Sequence, residues 1–320
     1  MPSVDAVAAT GLLEVPTAAP LTDSDCHRIR IDDEAGFSTR RMCPIRHDYH
    51  LHPLMQLERL EDLARSLMRT RQCRFILPET TDASRFDHRS RPQDGRGIDE
   101  VFERIEEPGS WLALYNVQTD PQYRALIWDI LGSTGAVLRG SERPCEARGF
   151  IFISAPPSVT PFHIDRENNF WLQIRGRKTL NVWDHTDRVT VAARDVEDFI
   201  VARSLENVRL TDALRPRAHV LACGPGDGAY FPSTSPHMTR SEPAWVTPGD
   251  GVSISFGVVF YTPLTRRQAY AHAANRMLRR VGIEPRMPGE RDWLDRTKQP
   301  LGMIGMATRR LRGLPVPSGF

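Results

Sequence analysis

Lysine is almost absent from this 320-residue chain, where Lys178 and Lys298 are the only two among 42 lysines and arginines. A position that keeps lysine has departed from a strong preference for the guanidinium. Cysteine is scarce as well. The five, Cys26, Cys43, Cys73, Cys145 and Cys223, show no CxxC spacing, which argues against a disulfide framework or thiolate zinc site and for reduced thiols in a cytoplasm. No apolar run is long enough to span a bilayer, so no membrane partner is expected. The first residues lack the basic-then-apolar order of a secretory signal. An excess of one charge is missing too: a formal net charge of +2 offers no bulk attraction for polyanions. What remains is a cytoplasmic protein whose 40% hydrophobic content supports a sizeable core.

Residues 1–25 are rich in Ala, Pro and Thr and read as a flexible N-terminal arm. Residues 26–148 read as a helical N-terminal region that packs on a barrel formed by the middle of the chain. In "HPLMQLERLEDLARSLMRT", Leu57, Leu60, Leu63, Ala64, Leu67 and Met68 recur at helical spacing, with Pro53 suited to a first turn. "TDPQYRALIWDILG" predicts a second helix capped by Asp120, with Pro121 at its first position and Gly132 past its end. Between them, "PETTDASRFDHRSRPQDGRG" is a polar loop.

From residue 149 to 262 the period changes to that of a β-barrel. "GFIFISA", "NNFWLQI", "KTLNVWD", "AHVLAC", "GAYFP" and "GVSISFGVVFYTP" are short β-branched and aromatic runs separated by turn residues such as Gly176. A helix interrupts them at "RDVEDFIVARSL". Residues 263–320 read as a C-terminal helical extension: one helix runs from after Thr265 to Gly282, and the final stretch adds one more short helix. The expected fold is mainly β, a jelly-roll barrel flanked by N- and C-terminal helices.

"TPFHIDRENNFW" reads as a buried strand that sets His163 and Asp165 two residues apart, and therefore on one face. Burying that pair without a partner would be costly. Alone the triplet is weak evidence, because His-x-Asp arises often by chance. His237 in "GPGDGAYFPSTSPHM", after the tight turn Gly224–Asp227 and a Pro-rich bend, offers a third ligand. Two histidines and a carboxylate make the facial triad of non-haem iron(II) oxygenases, which leaves the opposite face open for cosubstrate and dioxygen. An iron site that uses a 2-oxo acid also needs a cation for the acid's far carboxylate. Lys178, at the start of a strand just after Gly176, fits that need.

"VTPFHIDRENNFWLQIRGRK" and "GPGDGAYFPSTSPH" resemble the corresponding segments of jumonji-C type, cupin-like iron(II)- and 2-oxoglutarate-dependent hydroxylases, asparaginyl hydroxylases among them. The resemblance covers residues 150–262, and "IRHDYHLHPLMQLERLEDLARSL" resembles bacterial cupin-like relatives more loosely. It implies a double-stranded β-helix with His163, Asp165 and His237 as iron ligands. Lys178 would pair with the distal carboxylate of 2-oxoglutarate, Thr160 would bond to the same cosubstrate, Asn169 would place an amide near it, and Trp171 would line its pocket. The activity implied is hydroxylation of a C–H bond, coupled to conversion of 2-oxoglutarate and dioxygen to succinate and carbon dioxide. Gly257 departs from the pattern, since the hydroxylase has a second asparagine there. Tyr115 is a weak match for a tyrosine that contacts the cosubstrate.

Two rival readings stand beside this one: a cupin-fold metal enzyme that does not use 2-oxoglutarate, and a non-catalytic cupin-like regulatory module. The substrate is open between protein or peptide and small molecule. The arginines of "NRMLRRVG" and "TRRLRG" lack aromatic interleaving and read as a solvated face, so nucleic acid is not an expected partner. His47, His50 and His52 could form a second metal site but read as hydrogen-bonding or exposed residues, as do His185 and His219. Cys223 reads as simply buried. The resemblance implies a homodimer through the C-terminal helices, although Ala269, Ala273, Met277, Leu278 and Val281 would serve equally to cover the barrel.

Overall fold

Four short strands come first in the computed structural model: β1 (Ile29–Arg30), β2 (Cys43–His47), β3 (Cys73–Phe75) and β4 (Trp111–Leu114). Eight more complete the set: β5 (Glu146–Ser154), β6 (Ser158–His163), β7 (Asn168–Arg175), β8 (Lys178–Val182), β9 (His219–Cys223), β10 (Asp227–Phe231), β11 (His237–Ser241) and β12 (Ser253–Tyr261). The structure describes residues 27–76, 80–84, 86, 89, 91–92, 94–245, 251–317 and 320. The arm expected over residues 1–25 lies outside them.

The major sheet has the order β1-β2-β10-β7-β12-β5-β4-β3 and the minor sheet β6-β11-β8-β9, with every pair antiparallel. From β5 onward the chain passes repeatedly between the two sheets, which is the double-stranded β-helix. The region read as helical also contributes β1–β4 to the major sheet's edges.

Period-two alternation assigns the two faces of the major sheet. Phe170, Leu172 and Ile174 of β7, with Ile254, Phe256, Val258 and Phe260 of β12, point outward into one core with α1 (Leu57–Met68) and α3 (Pro121–Ser133); the short α2 (Ile98–Glu103) lies between these helices in the chain. Each fully buried side chain of this kind is worth roughly 1.5–3 kcal/mol. The alternate residues, Asn169, Trp171 and Gln173 on β7 and Ser253, Ser255 and Gly257 on β12, face the barrel interior. The minor sheet is covered by α4 (Ala193–Ala202), α5 (Pro263–Arg280) and α6 (Asp292–Leu311). There Phe162, Trp183 and Met238 meet Val196, Phe199, Ile200, Ala269 and Ala273. Glu197 and Asp198 tie α4 to α5 through Arg279, at 3.0 Å, and Arg276, at 2.6 Å.

Helix limits differ from expectation where local signals compete. Asp120 caps α3 by accepting from the N–H groups of Gln122 and Tyr123, but the buried Ile130 and Leu131 carry the helix through Gly132. α5 begins one turn before the expected start, because Thr262 and Thr265 cap each other and Pro263 suits the first turn. α6 runs 20 residues, longer than the short helix expected, despite Pro300. Its packing on α5 explains this: Gly302 lies so close to the Tyr270 carbonyl that a Cβ would overlap it, and Gly305 abuts Met277.

Gly302→Val should therefore force α6 off α5. Urea unfolding is expected to show a loss of about 1–3 kcal/mol, and an unchanged midpoint would contradict this packing.

Candidate metal centre

The stretch expected to be one strand is two. His163 is the last residue of β6, Asp165 lies in the turn that carries the chain to the other sheet, and Asn169 is already in β7. His237, expected to follow a Pro-rich bend, opens β11. Antiparallel pairing sets His237 opposite His163, with ring centroids 4.2 Å apart. The Asp165 carboxylate stands 4.0 Å from Nε2 of His163 and 3.5 Å from Nε2 of His237. Ligand atoms of the three residues lie within 4.8 Å of one another, and no other such group of three occurs among the described residues. Three donors converge although they arrive from a strand end, a turn and a strand start.

Each histidine is held in one tautomer by its own backbone. Nδ1 of His163 lies 2.7 Å from the carbonyl of Pro161, and Nδ1 of His237 lies 3.0 Å from that of Ser235. A carbonyl can only accept, so Nδ1 carries the proton and Nε2 keeps a lone pair aimed at the shared point. Burial, with His163 alongside, holds His237 well below the ordinary histidine range and thus neutral. Burial pushes the Asp165 carboxyl up, while His163 pulls it back. Two imidazoles whose Nε2 atoms face one carboxylate suit a divalent ion of the imidazole- and oxygen-binding kind. The residues present fit such an ion.

The other expected residues surround the same barrel interior. Thr160 is buried, and its Oγ1 accepts from the Trp111 indole at 3.4 Å, which leaves its O–H proton able to donate. Asn169 is buried with no partner for Oδ1. A Cβ on Gly257 would stand 3.5 Å from that oxygen, so the absent second asparagine leaves space beside Asn169. Trp171 packs with Leu180, Val182, Ala229 and Phe231 in an apolar interior cluster. Tyr115 follows β4, its ring 4.8 Å from that of Phe150, and burial, then Asp165, push its phenol up. Two neighbours escaped the sequence reading. Ser255 had a signal in the alternation of "VSISFG", and Phe86, the one phenylalanine of its polar loop, stacks on His163 at 4.5 Å.

Among the described residues the remaining histidines form no second group of this kind. His47 Nε2 meets the Asp227 carbonyl at 3.1 Å, and His52 Nδ1 accepts from the Leu54 N–H at 3.1 Å. His219 is exposed, and Cys223 is buried as expected.

These features define a double-stranded β-helix protein whose barrel brings together a His-Asp-His group with the geometry to hold a metal ion. No known family profile matches the chain, and no curated protein does. Among solved structures it is similar to YcfD, a ribosomal oxygenase from Escherichia coli, at 15% identity and a TM-score of 0.43, over 87% of this chain and 67% of that one. A structure of YcfD in complex with cobalt and 2-oxoglutarate gives 16% identity and a TM-score of 0.46, over 87% and 66%. This chain thus spans about two thirds of YcfD's length. At these values the likeness adds nothing to the case for an activity, and the fold rests on the strand order. Among the described residues no helix is long and apolar enough to cross a membrane.

Lys178 is only 2% exposed, and its Nζ meets the Ser255 hydroxyl at 3.3 Å. No carboxylate of the described residues pairs with it. Burial pulls its pKa from 10.5 to about 7. The unfolded chain therefore holds this proton more tightly than the folded protein, and stability rises with pH from about 7 to the ordinary lysine value. Lys178→Met is expected to stabilise the ligand-free protein at pH 7 by about 1–4 kcal/mol. The gain should shrink toward pH 10.5, the ordinary value of this lysine. Thermal melts of both proteins across that range check the sign, and a less stable variant at pH 7 would refute it.

Proposed function

We propose that the protein is an iron(II)- and 2-oxoglutarate-dependent oxygenase of the hydroxylating kind. The observation that carries this reading is a pair of features in one barrel: a convergent His163, Asp165 and His237 set, and a buried lysine kept without a carboxylate partner among the described residues. Iron(II) with 2-oxoglutarate bound supplies activation of dioxygen, yielding succinate and carbon dioxide and placing one oxygen atom in a C–H bond of the substrate.

In this reading His163, Asp165 and His237 hold the ion from one side. Lys178 offers its ammonium to the distal carboxylate, and a dianion there returns its proton affinity toward the ordinary lysine value. Thr160 donates its hydroxyl proton to the same carboxylate. The Asn169 side chain can offer its amide N–H, rather than the unpartnered Oδ1, to an oxygen of the cosubstrate. Trp171, Leu180, Val182 and Phe231 exclude water from the barrel. The substrate is a protein or peptide side chain or a small molecule, and the setting is the cytoplasm, where the free thiols of Cys43, Cys73, Cys145 and Cys223 fit. Gly257 weakens the finer parallel to the asparaginyl hydroxylase that inhibits hypoxia-inducible factor, so hydroxylation is assigned here without an asparagine target. The division of residues 149–262 as catalytic unit, between the regions 26–148 and 263–320, belongs to the same proposal.

Anaerobic titration with iron(II) and 2-oxoglutarate tests it through the visible charge-transfer absorption of the complex. The band should appear with wild type, vanish in His163→Ala, and require roughly ten- to a hundredfold more 2-oxoglutarate in Lys178→Ala. Iron binding without a band would favour a cupin enzyme with other chemistry, and no iron binding would favour a regulatory module.

A homodimer through the C-terminal helices is part of the proposal only through residues left at the surface. Ala269 and Ala273 are buried in the minor-sheet core, whereas Val281, Trp293 and Ile304 are exposed. Light scattering that returns the monomer mass of 36.2 kDa would remove it.

A further inference from the structure

A second cavity, of about 270 Å³, lies between the start of α5, the chain after β8, the segment before α6 and the turns at Arg166 and Ser233–Thr234. None of His163, Asp165 and His237 lines it. Its walls carry the guanidiniums of Arg40, Arg166 and Arg188 and the rings of His185 and His272. Glu290 is the only carboxylate among the described lining residues, and it is engaged by the Met287 N–H at 3.2 Å and Arg286 at 3.8 Å.

Arg40 and Arg188 form no close ion pair within the described fold, although Asp184, Asp187, Glu197 and Glu290 act on Arg188 from a greater distance and Arg40 acts on Asp292. Arg188 is fastened by the carbonyls of Val191 and His185, which orient the guanidinium without cancelling its charge. Arg40 reaches the carbonyl of Gly289 at 3.2 Å. Neither forms an ion pair with a described residue. The N-terminal turns of the 18-residue α5, through Thr265 and Gln268, add the positive end of a helix dipole. That end alone would signify little, since Thr262 and Thr265 already cap it.

His272 provides the independent sign of a ligand. It is 7% exposed, lines the cavity, and its Nδ1 has no hydrogen-bond partner. Burial, with Arg188, Lys298 and His185 facing it, holds its pKa down to about 3. The ring is therefore neutral, with one N–H to offer. An orphaned buried nitrogen is costly until a partner arrives, and in the tautomer with the proton on Nδ1 that partner is an acceptor such as an anion's oxygen.

We propose that this cavity binds a small phosphate-bearing anion, held by Arg40, Arg166 and Arg188, with Gln268 and His272 as further donors. A phosphoryl group offers three terminal oxygens to donors that approach from several sides, more than a single carboxylate can satisfy. Ile200, Ala269 and Met287 supply an apolar wall, which suits a phosphate monoester with a small organic group. The site does not depend on the oxygenase reading.

Calorimetric titration of the full chain at constant ionic strength, with inorganic phosphate and with phenyl phosphate, tests the proposal. Saturable binding is expected for both. Arg188→Gln should raise Kd at least about tenfold, Arg40→Gln at the exposed rim about two- to fivefold, and Lys178→Met should leave it unchanged. If Arg188→Gln does not fold, Arg40→Gln and His272→Gln decide. Three results would overturn the assignment: no saturable binding by wild type, equal affinity in the Arg40 and His272 variants, or loss of binding in Lys178→Met, which would put the anion in the barrel. Succinate binding to the same residues as tightly as phosphate would overturn the ligand class.

Discussion

Where β6 and β11 run side by side in the minor sheet, His163 stands opposite His237, and the chemistry of the barrel depends on that register. Alternation along a strand has a period of two, so a slip by one residue would turn one of the rings into the outer core against α4 and α5. The register is guarded on that outer side. Phe162 and Met238, the sequence neighbours of the two histidines, are buried there against Trp183 and helix α4. Hydrophobic packing on one face of the sheet thus holds two polar rings at a fixed separation on the other. The turn after β6 then needs only two residues to bring Asp165 beneath both Nε2 atoms, and the Thr234 N–H at 2.7 Å from the Asp165 carbonyl ties that turn to the segment leading into β11.

The major sheet shows the same division on a larger scale. Its outer face is apolar and packed by α1 and α3, whereas its inner face carries Asn169, Gln173, Ser253 and Ser255, all buried. A barrel of this size is ordinarily filled by side chains that need no partner. Here the interior keeps a lysine and an amide oxygen unsatisfied by carboxylates or donors of the described fold. Stability is given up at Lys178 and Asn169, and such local conflict is characteristic of positions retained for binding. Two glycines make the arrangement possible. Gly176, at φ +65°, turns the chain so that Lys178 opens β8, and Gly226, at φ +90°, closes the turn into β10.

The C-terminal helices do more than cover the minor sheet. Their close approach at Gly302 positions the segment before α6, and that segment, with the start of α5, walls the arginine-lined cavity. Arg166 and Thr234 belong to this wall, while their chain neighbours Asp165 and Ser235 belong to the candidate metal centre. One pair of turns therefore borders two chemically different spaces, one lined by two histidines and a carboxylate and the other largely by arginines.

The sequence by itself determined the residue types of the candidate site and the faces of the strands that flank it. His163, Asp165, His237 and Lys178 stood out through spacing and rarity, and six β-rich runs through alternation, because both signals are local and survive without knowledge of partners. The helix start at Asp120 was legible for the same reason, whereas α5 was expected after Thr265 and begins one turn earlier, at Pro263, with Thr262 as its cap. Only the tertiary structure decided that "TPFHIDRENNFW" divides into two strands on different sheets, that His237 begins a strand, that α6 runs through Pro300, and that Arg40, Arg188 and His272 meet around one cavity. Each of these depends on contacts between residues far apart in the chain: strand pairing, helix packing and the burial they impose override local propensity, and no periodicity within one segment encodes them.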